Sequence, residues 1–177
     1  MSQTAAGPAD RPYGRFFLPG PTEVHPDVLA AQIRPMMSHR GANSQAFMRG
    51  IQAGLQNVFC TARPVFVSTS SATGLMETAV RNAGRTKILS LTNGAFSERF
   101  AAIGRACNFE VETYELPWGD AHDPSVLRTY LENDTYDAIT MAHSETSTGV
   151  LNDIRALAAV AHDFPDTLVL VDSVTGF

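Results

Sequence analysis

The chain has 177 residues, of which 44% are hydrophobic and 18% charged, so it is long and apolar enough for one globular domain with a real core. A formal net charge of −5 argues against nucleic acid or an anionic membrane surface as a partner. No apolar run approaches the roughly 18 residues that a spanning helix needs, so no membrane helix is expected.

Residues 1–15 are polar, with Pro and Gly, and lack the apolar stretch of a signal peptide; they read as a flexible arm. Pro19, Gly20 and Pro21 then force an extended loop, and Pro26 opens a short helix carrying Val28, Leu29 and Ile33. From Ser44 to Phe59, residues Phe47, Met48, Ile51, Leu55, Val58 and Phe59 form the stripe of an amphipathic helix. Short β-branched runs follow at 64–68, 87–91, 109–116, 138–142 and 167–171. Helical stretches separate them at 73–82, 96–107, 124–132 and 153–162. Strands alternating with helices predict an α/β fold, a mostly parallel sheet covered by helices in three α/β/α layers. Cys60 and Cys107 have no metal-type spacing and read as buried free thiols of a cytoplasmic protein. No metal site is expected, because the five histidines show no zinc-type spacing.

In parallel sheets ligands sit at the carboxyl ends of the strands, so chemistry is sought in the loops there. The first loop, STSSAT, is small and hydroxylated and opens a helix. Its backbone N–H groups make an anion cradle, and an ordinary N-cap by Ser71 or Thr73 is the competing reading. The second places Phe96 at a helix start, where core packing competes with a stacking role. The third, HSETSTG, holds six consecutive polar side chains, and a solvated turn also explains it. The fourth sets Asp172 directly after TLVLV, where a charge needs a partner or ligand, or serves as a helix cap. Together the four suit a flat, phosphorylated, nitrogen-containing ring such as pyridoxal phosphate.

These blocks, FFLPGPTEVHP, STSSATGLMETAV, LTNGAFSERF, MAHSETSTGVLNDI and LVLVDSVTG, resemble the successive signatures of the class V aminotransferases. The resemblance is to the alanine/serine–glyoxylate group of these fold-type-I pyridoxal-phosphate enzymes, and it runs from about Phe16 to Phe177. It implies a large cofactor-binding domain, incomplete over residues 16–177. Ser71, Ala72 and Thr73 take the phosphate-loop positions, with Ala72 where the family has glycine. Phe96 stands at the ring-face aromatic, and Thr146 at the residue near the phenolic oxygen. Asp172 matches the catalytic aspartate that pairs with the ring nitrogen. Gly20 lies where the family's backbone lines the substrate pocket, and His39 and Arg40 match a pair that helps hold acidic substrates in some members, with a solvated loop pair as the competing reading. The implied activity moves an amino group from alanine or serine to a 2-oxo acid such as glyoxylate or pyruvate, in a cytoplasmic homodimer.

The family's Schiff-base lysine lies about two dozen residues beyond the Asp172 position. The single lysine here, Lys87, opens a strand at its amino end and reads as a solvated edge charge. The chain is therefore expected to be the N-terminal part of a longer enzyme and inactive alone. Alternatives are a 2-aminoethylphosphonate transaminase, a lyase or desulfurase on the same scaffold, or a non-catalytic remnant.

Overall fold

A computed structural model describes Gly14 and residues 16–177. Of the arm expected over residues 1–15, only Gly14 falls among them; the rest lies outside the described residues. The chain divides into two units, Met1–Val67 and Ser68–Phe177.

The first unit holds helices α1 (Pro26–Ala31) and α2 (Ala42–Val58). Pro26 starts α1 with its φ already helical, and the His25 imidazole accepts the Asp27 N–H at 3.2 Å. The apolar stripe of α2 is only partly covered: Ile51 and Leu55 are half-buried, while Phe47, Met48 and Val58 are each about half exposed. The strand expected at 64–68 does not form. The Gln52 side chain brackets Val65, its Oε1 accepting the Val65 N–H at 3.0 Å while its amide donates to the Val65 carbonyl. A side chain thus takes the backbone groups that a neighbouring strand would have used.

The second unit begins with α3 (Ala72–Ala83), β1 (Lys87–Thr92), α4 (Ala95–Ala106) and β2 (Glu110–Glu115). Next come α5 (Pro124–Asn133), β3 (Ala138–Ala142) and a small hairpin of β4 (Ser144–Glu145) and β5 (Val150–Leu151). Helix α6 (Ile154–Ala161) and β6 (Leu168–Asp172) complete it. The four long strands are parallel, in the order β2-β1-β3-β6.

Side chains alternate across β1, which sorts the core into two faces. Ile88 joins Met76, Val80 and Phe100 from α3 and α4. Leu89 and Leu91 join Leu127 and Leu131 of α5, Leu157 of α6, and Ile139 and Met141 of β3. This is the expected three-layer α/β/α arrangement. Strand β6 ends on Asp172, so the aspartate is the last residue of the strand, paired with Ala142 of β3.

Two expectations about single residues are corrected. Cys60 is exposed and Cys107 only half-buried, so neither free thiol is a core residue. Each follows a helix, where the chain turns outward. Lys87 does sit at the amino end of β1, but it is not solvated. Its ammonium lies 2.6 Å from Asp134, 2.8 Å from Glu112 and 3.2 Å from Glu110. The parallel pairing of β1 with β2 brings Glu110 and Glu112 to it. Hydrogen bonds to Asp134 and Glu112 raise its pKa above the ordinary lysine value.

Candidate active site

Helix α3 leads through the short 84–86 connector to the amino end of β1. At about 1.5 Å per residue it runs back along the sheet for roughly 18 Å, so Ser71 at its start faces the strands' carboxyl edge. Ser71 occupies the N-cap in extended backbone, yet its side chain makes no capping bond. Thr73 lies inside the first turn and is not the cap either. The Ser70 hydroxyl is engaged locally, donating to the Ser71 carbonyl at 3.1 Å and pairing with Ser68 Oγ at 2.7 Å. The competing reading of this loop, a side-chain cap, is thus not what the residues do. The first-turn N–H groups of α3 carry the positive end of the helix dipole with no acidic residue beside them.

The next helix start is different. Glu145, in the third loop, is fully buried and points its carboxylate at the beginning of α4. Oε1 accepts the Phe96 N–H at 3.3 Å and the Ser147 hydroxyl at 2.7 Å. Oε2 accepts the Ser97 N–H at 2.9 Å, with Ser97 Oγ 3.0 Å away. Burial opposes ionisation, but the donors from Ser97, Ser147 and Phe96 outweigh it and hold the carboxyl below its ordinary range. A buried charge is tolerable here because a helix N-terminus and two hydroxyls surround it. Gly94 makes the approach possible. A Cβ there would fall 2.6 Å from both Glu145 Cδ and Ser147 Oγ, although its backbone is extended and unstrained.

Phe96 is half-buried at the start of α4, with the Arg99 guanidinium 5.0 Å from its ring centre. Thr146 follows Glu145 directly, and its hydroxyl lies 2.7 Å from that of Thr175. Asp172 is half-buried; its Oδ1 accepts the Val174 N–H at 3.0 Å and its carbonyl accepts the His143 N–H at 2.8 Å. His143 Nδ1 in turn lies 2.8 Å from the Ser173 hydroxyl. The loop after β3 therefore ties Phe96, through Glu145, to the segment that follows Asp172, through His143 and Thr175.

A second buried polar group braces the same edge. Asn152 Nδ2 donates to the Ala142 carbonyl at 2.8 Å, and its Oδ1 accepts from Asn93 Nδ2 at 3.2 Å. The same Oδ1 takes the His122 backbone N–H at 3.1 Å, and His122 Nε2 lies 3.1 Å from the Tyr114 carbonyl. Burial pushes the His122 pKa down despite these bonds. Glu145, Asn152 and His122 were not singled out from the sequence. The usable signal was a carboxylate set among hydroxyls directly after a buried strand.

The other residues expected from the sequence, Gly20, His39 and Arg40, belong to the first unit and are exposed, with the Ser38 hydroxyl donating to the Arg40 carbonyl at 2.8 Å. Trp118, in the loop after β2, is 57% exposed and donates its indole N–H to Glu98 at 2.8 Å. Among the described residues no group of three His, Cys, Asp or Glu is placed to hold a metal ion. None of their helices is long and apolar enough to cross a membrane.

Residues 22–177 match the family model described as aminotransferase class-V. An uncharacterized aminotransferase of Methanocaldococcus jannaschii is 35% identical over 90% of this chain and 42% of its own length. The serine–glyoxylate aminotransferase of Arabidopsis thaliana is 31% identical, with the same two shares. Among solved structures, an alanine–glyoxylate aminotransferase from Nostoc sp. superposes with a TM-score of 0.85 at 30% identity. That superposition covers 97% of this chain and 46% of the other. The chain thus spans less than half the length of these relatives.

Proposed function

Because the chain belongs to the class-V aminotransferases, we propose that it carries the cofactor-binding side of a pyridoxal-phosphate-dependent transaminase. The proposed donor is alanine or serine and the proposed acceptor a 2-oxo acid such as glyoxylate or pyruvate. Two relatives named for alanine–glyoxylate and serine–glyoxylate transfer support that choice. The observation that carries the reading is the set of groups at the carboxyl edge. An uncapped helix start lies at Ser71–Thr73, an aromatic at Phe96, a hydroxyl at Thr146 and a carboxylate ends β6 at Asp172.

The donor chemistry fits the cofactor. The α3 N–H groups and the Thr73 hydroxyl suit a phosphate, and the α4 helix start is already filled by Glu145, which leaves α3 for the anion. Phe96 offers a ring face, Thr146 a hydroxyl for the phenolic oxygen, and Ser71 and Ala72 the backbone of the cradle. When bound, pyridoxal phosphate supplies an electron sink for the substrate's α-carbon. Asp172, as carboxylate, is the group to hold a proton on the ring nitrogen, since an adjacent negative charge favours the protonated ring. Phosphate contacts far from the reacting carbon anchor the cofactor equally well at every stage. Gly20, His39 and Arg40 are proposed on the substrate side, where a guanidinium pairs with a carboxylate in two parallel hydrogen bonds.

A cytoplasmic homodimer completes the proposal, supported by the free thiols of Cys60 and Cys107 and by the exposed part of the apolar stripe of α2. The experiment is to replace Asp172 in the intact protein and follow amino transfer. Asp172→Asn is expected to stay folded and to lose about two to three orders of magnitude in kcat, the usual size of such an electrostatic contribution. Turnover close to wild type would remove Asp172 from the site.

A further inference from the structure

We propose that Glu145 is a positioning residue for the cofactor: its buried carboxylate clamps the start of α4 to the loop after β3, which sets Phe96 against Thr146. The inference rests on the pyridoxal-phosphate reading above and assigns a role that none of the expected site residues fills.

Both neighbours of the clamp are site residues. The Phe96 N–H is itself one of the donors, 3.3 Å from Oε1, and Thr146 is the next residue after Glu145 in the chain. A shift of the carboxylate therefore moves the ring-face aromatic and the hydroxyl together. A local cap would leave α4 free to slide relative to the β3 loop. The partner here is instead 48 residues away in sequence, which makes the cap a cross-link between two loops. Ser147 reinforces it from the other side: its hydroxyl donates to Oε1 at 2.7 Å and accepts the Ala95 N–H at 3.0 Å. Gly94 keeps the approach free of any side chain.

The test uses the intact protein titrated with pyridoxal phosphate, read by dissociation constant and by the visible circular dichroism of the bound cofactor at saturation. Glu145→Gln keeps the shape and removes the charge. It is expected to weaken binding about tenfold, as loss of charge-assisted hydrogen bonds does. Its dichroic band at saturation should also shrink, because the ring sits differently against Phe96. Thr73→Val is expected to weaken binding while leaving the saturated band unchanged. A purely structural role for Glu145 would lower the melting temperature and leave both readouts at wild-type values below the melt; that result overturns the proposal. Should Glu145→Gln fail to fold, Ser147→Ala reads the same clamp. It is expected to reduce the band by a smaller amount, and an unchanged band with an unchanged constant overturns the proposal equally. Failure of the wild type to bind pyridoxal phosphate at all would overturn the functional reading as well, and is distinguishable because the mutants then have no reference signal.

Discussion

Thr73 gives the sharpest single-residue expectation. It lies in the first turn of a helix whose N-cap side chain makes no bond, so its hydroxyl is the proposed anion donor there, the adjacent Gly74 N–H already donating to the Ser71 carbonyl at 3.0 Å. Thr73→Val is expected to raise the dissociation constant for pyridoxal phosphate by about ten- to a hundredfold, the value of one charge-assisted hydrogen bond of roughly 1.5–3 kcal/mol. Unphosphorylated pyridoxal should bind almost as before. Equal weakening of both compounds would make Thr73 a structural residue. The helix start at this position was legible because loop and helix are neighbours in sequence. Glu145 was not, since it stands among six polar residues that look alike along the chain, and only its contact with Ser97 separates it from them. Lys87 failed for the same reason: its three carboxylates arrive from β2 and from Asp134, and no local pattern announces them.

At the scale of elements, the alternation of strands and helices was readable because the helices carry apolar stripes and the buried strands β1 and β3 are largely apolar, broken only by small hydroxyl residues such as Ser90 and Thr140. The run at 64–68 had the same composition and still formed no strand. The backbone groups of Val65 within it bond to Gln52, on a helix whose pairing role composition does not encode. The brace at the carboxyl edge was equally invisible, and it has a pH signature. Burial lowers the His122 pKa, so the unfolded chain takes up a proton at a higher pH than the folded one. Stability is therefore full above the ordinary imidazole value of 6.5 and is lost as the pH falls through the lower folded value. Urea midpoints measured from about pH 7.5 down to about pH 5 should fall for the wild type and fall less steeply for His122→Gln. Identical slopes would mean that His122 does not titrate in this window. Gly94→Ala probes the neighbouring contact. The added methyl group would press first on Glu145 and Ser147, and such overpacking is expected to cost about 1–3 kcal/mol, read as a lowered denaturation midpoint. An unchanged midpoint would show that the two loops separate easily.

The molecule as a whole distributes its charges to opposite edges of the sheet. The carboxyl edge gathers Phe96, Thr146, Asp172 and the helix start proposed to hold an anion, while Lys87 is held by three carboxylates at the amino edge. Its raised pKa keeps it an ammonium, a poor nucleophile toward an aldehyde. Borohydride reduction of the intact protein with pyridoxal phosphate should thus leave Lys87 unlabelled in the peptide map. Stoichiometric labelling there would place the cofactor on the wrong edge. Heavy nitrogen reports whether these strand ends serve the proposed amino transfer on pyridoxal phosphate. The intact protein, stripped of cofactor, is given labelled alanine and glyoxylate with and without added pyridoxal phosphate. Labelled glycine is expected only when the cofactor is present, with near-complete loss in Asp172→Ala. Label transfer that is independent of the cofactor, or absent with both alanine and serine while the cofactor is bound, would contradict the proposal.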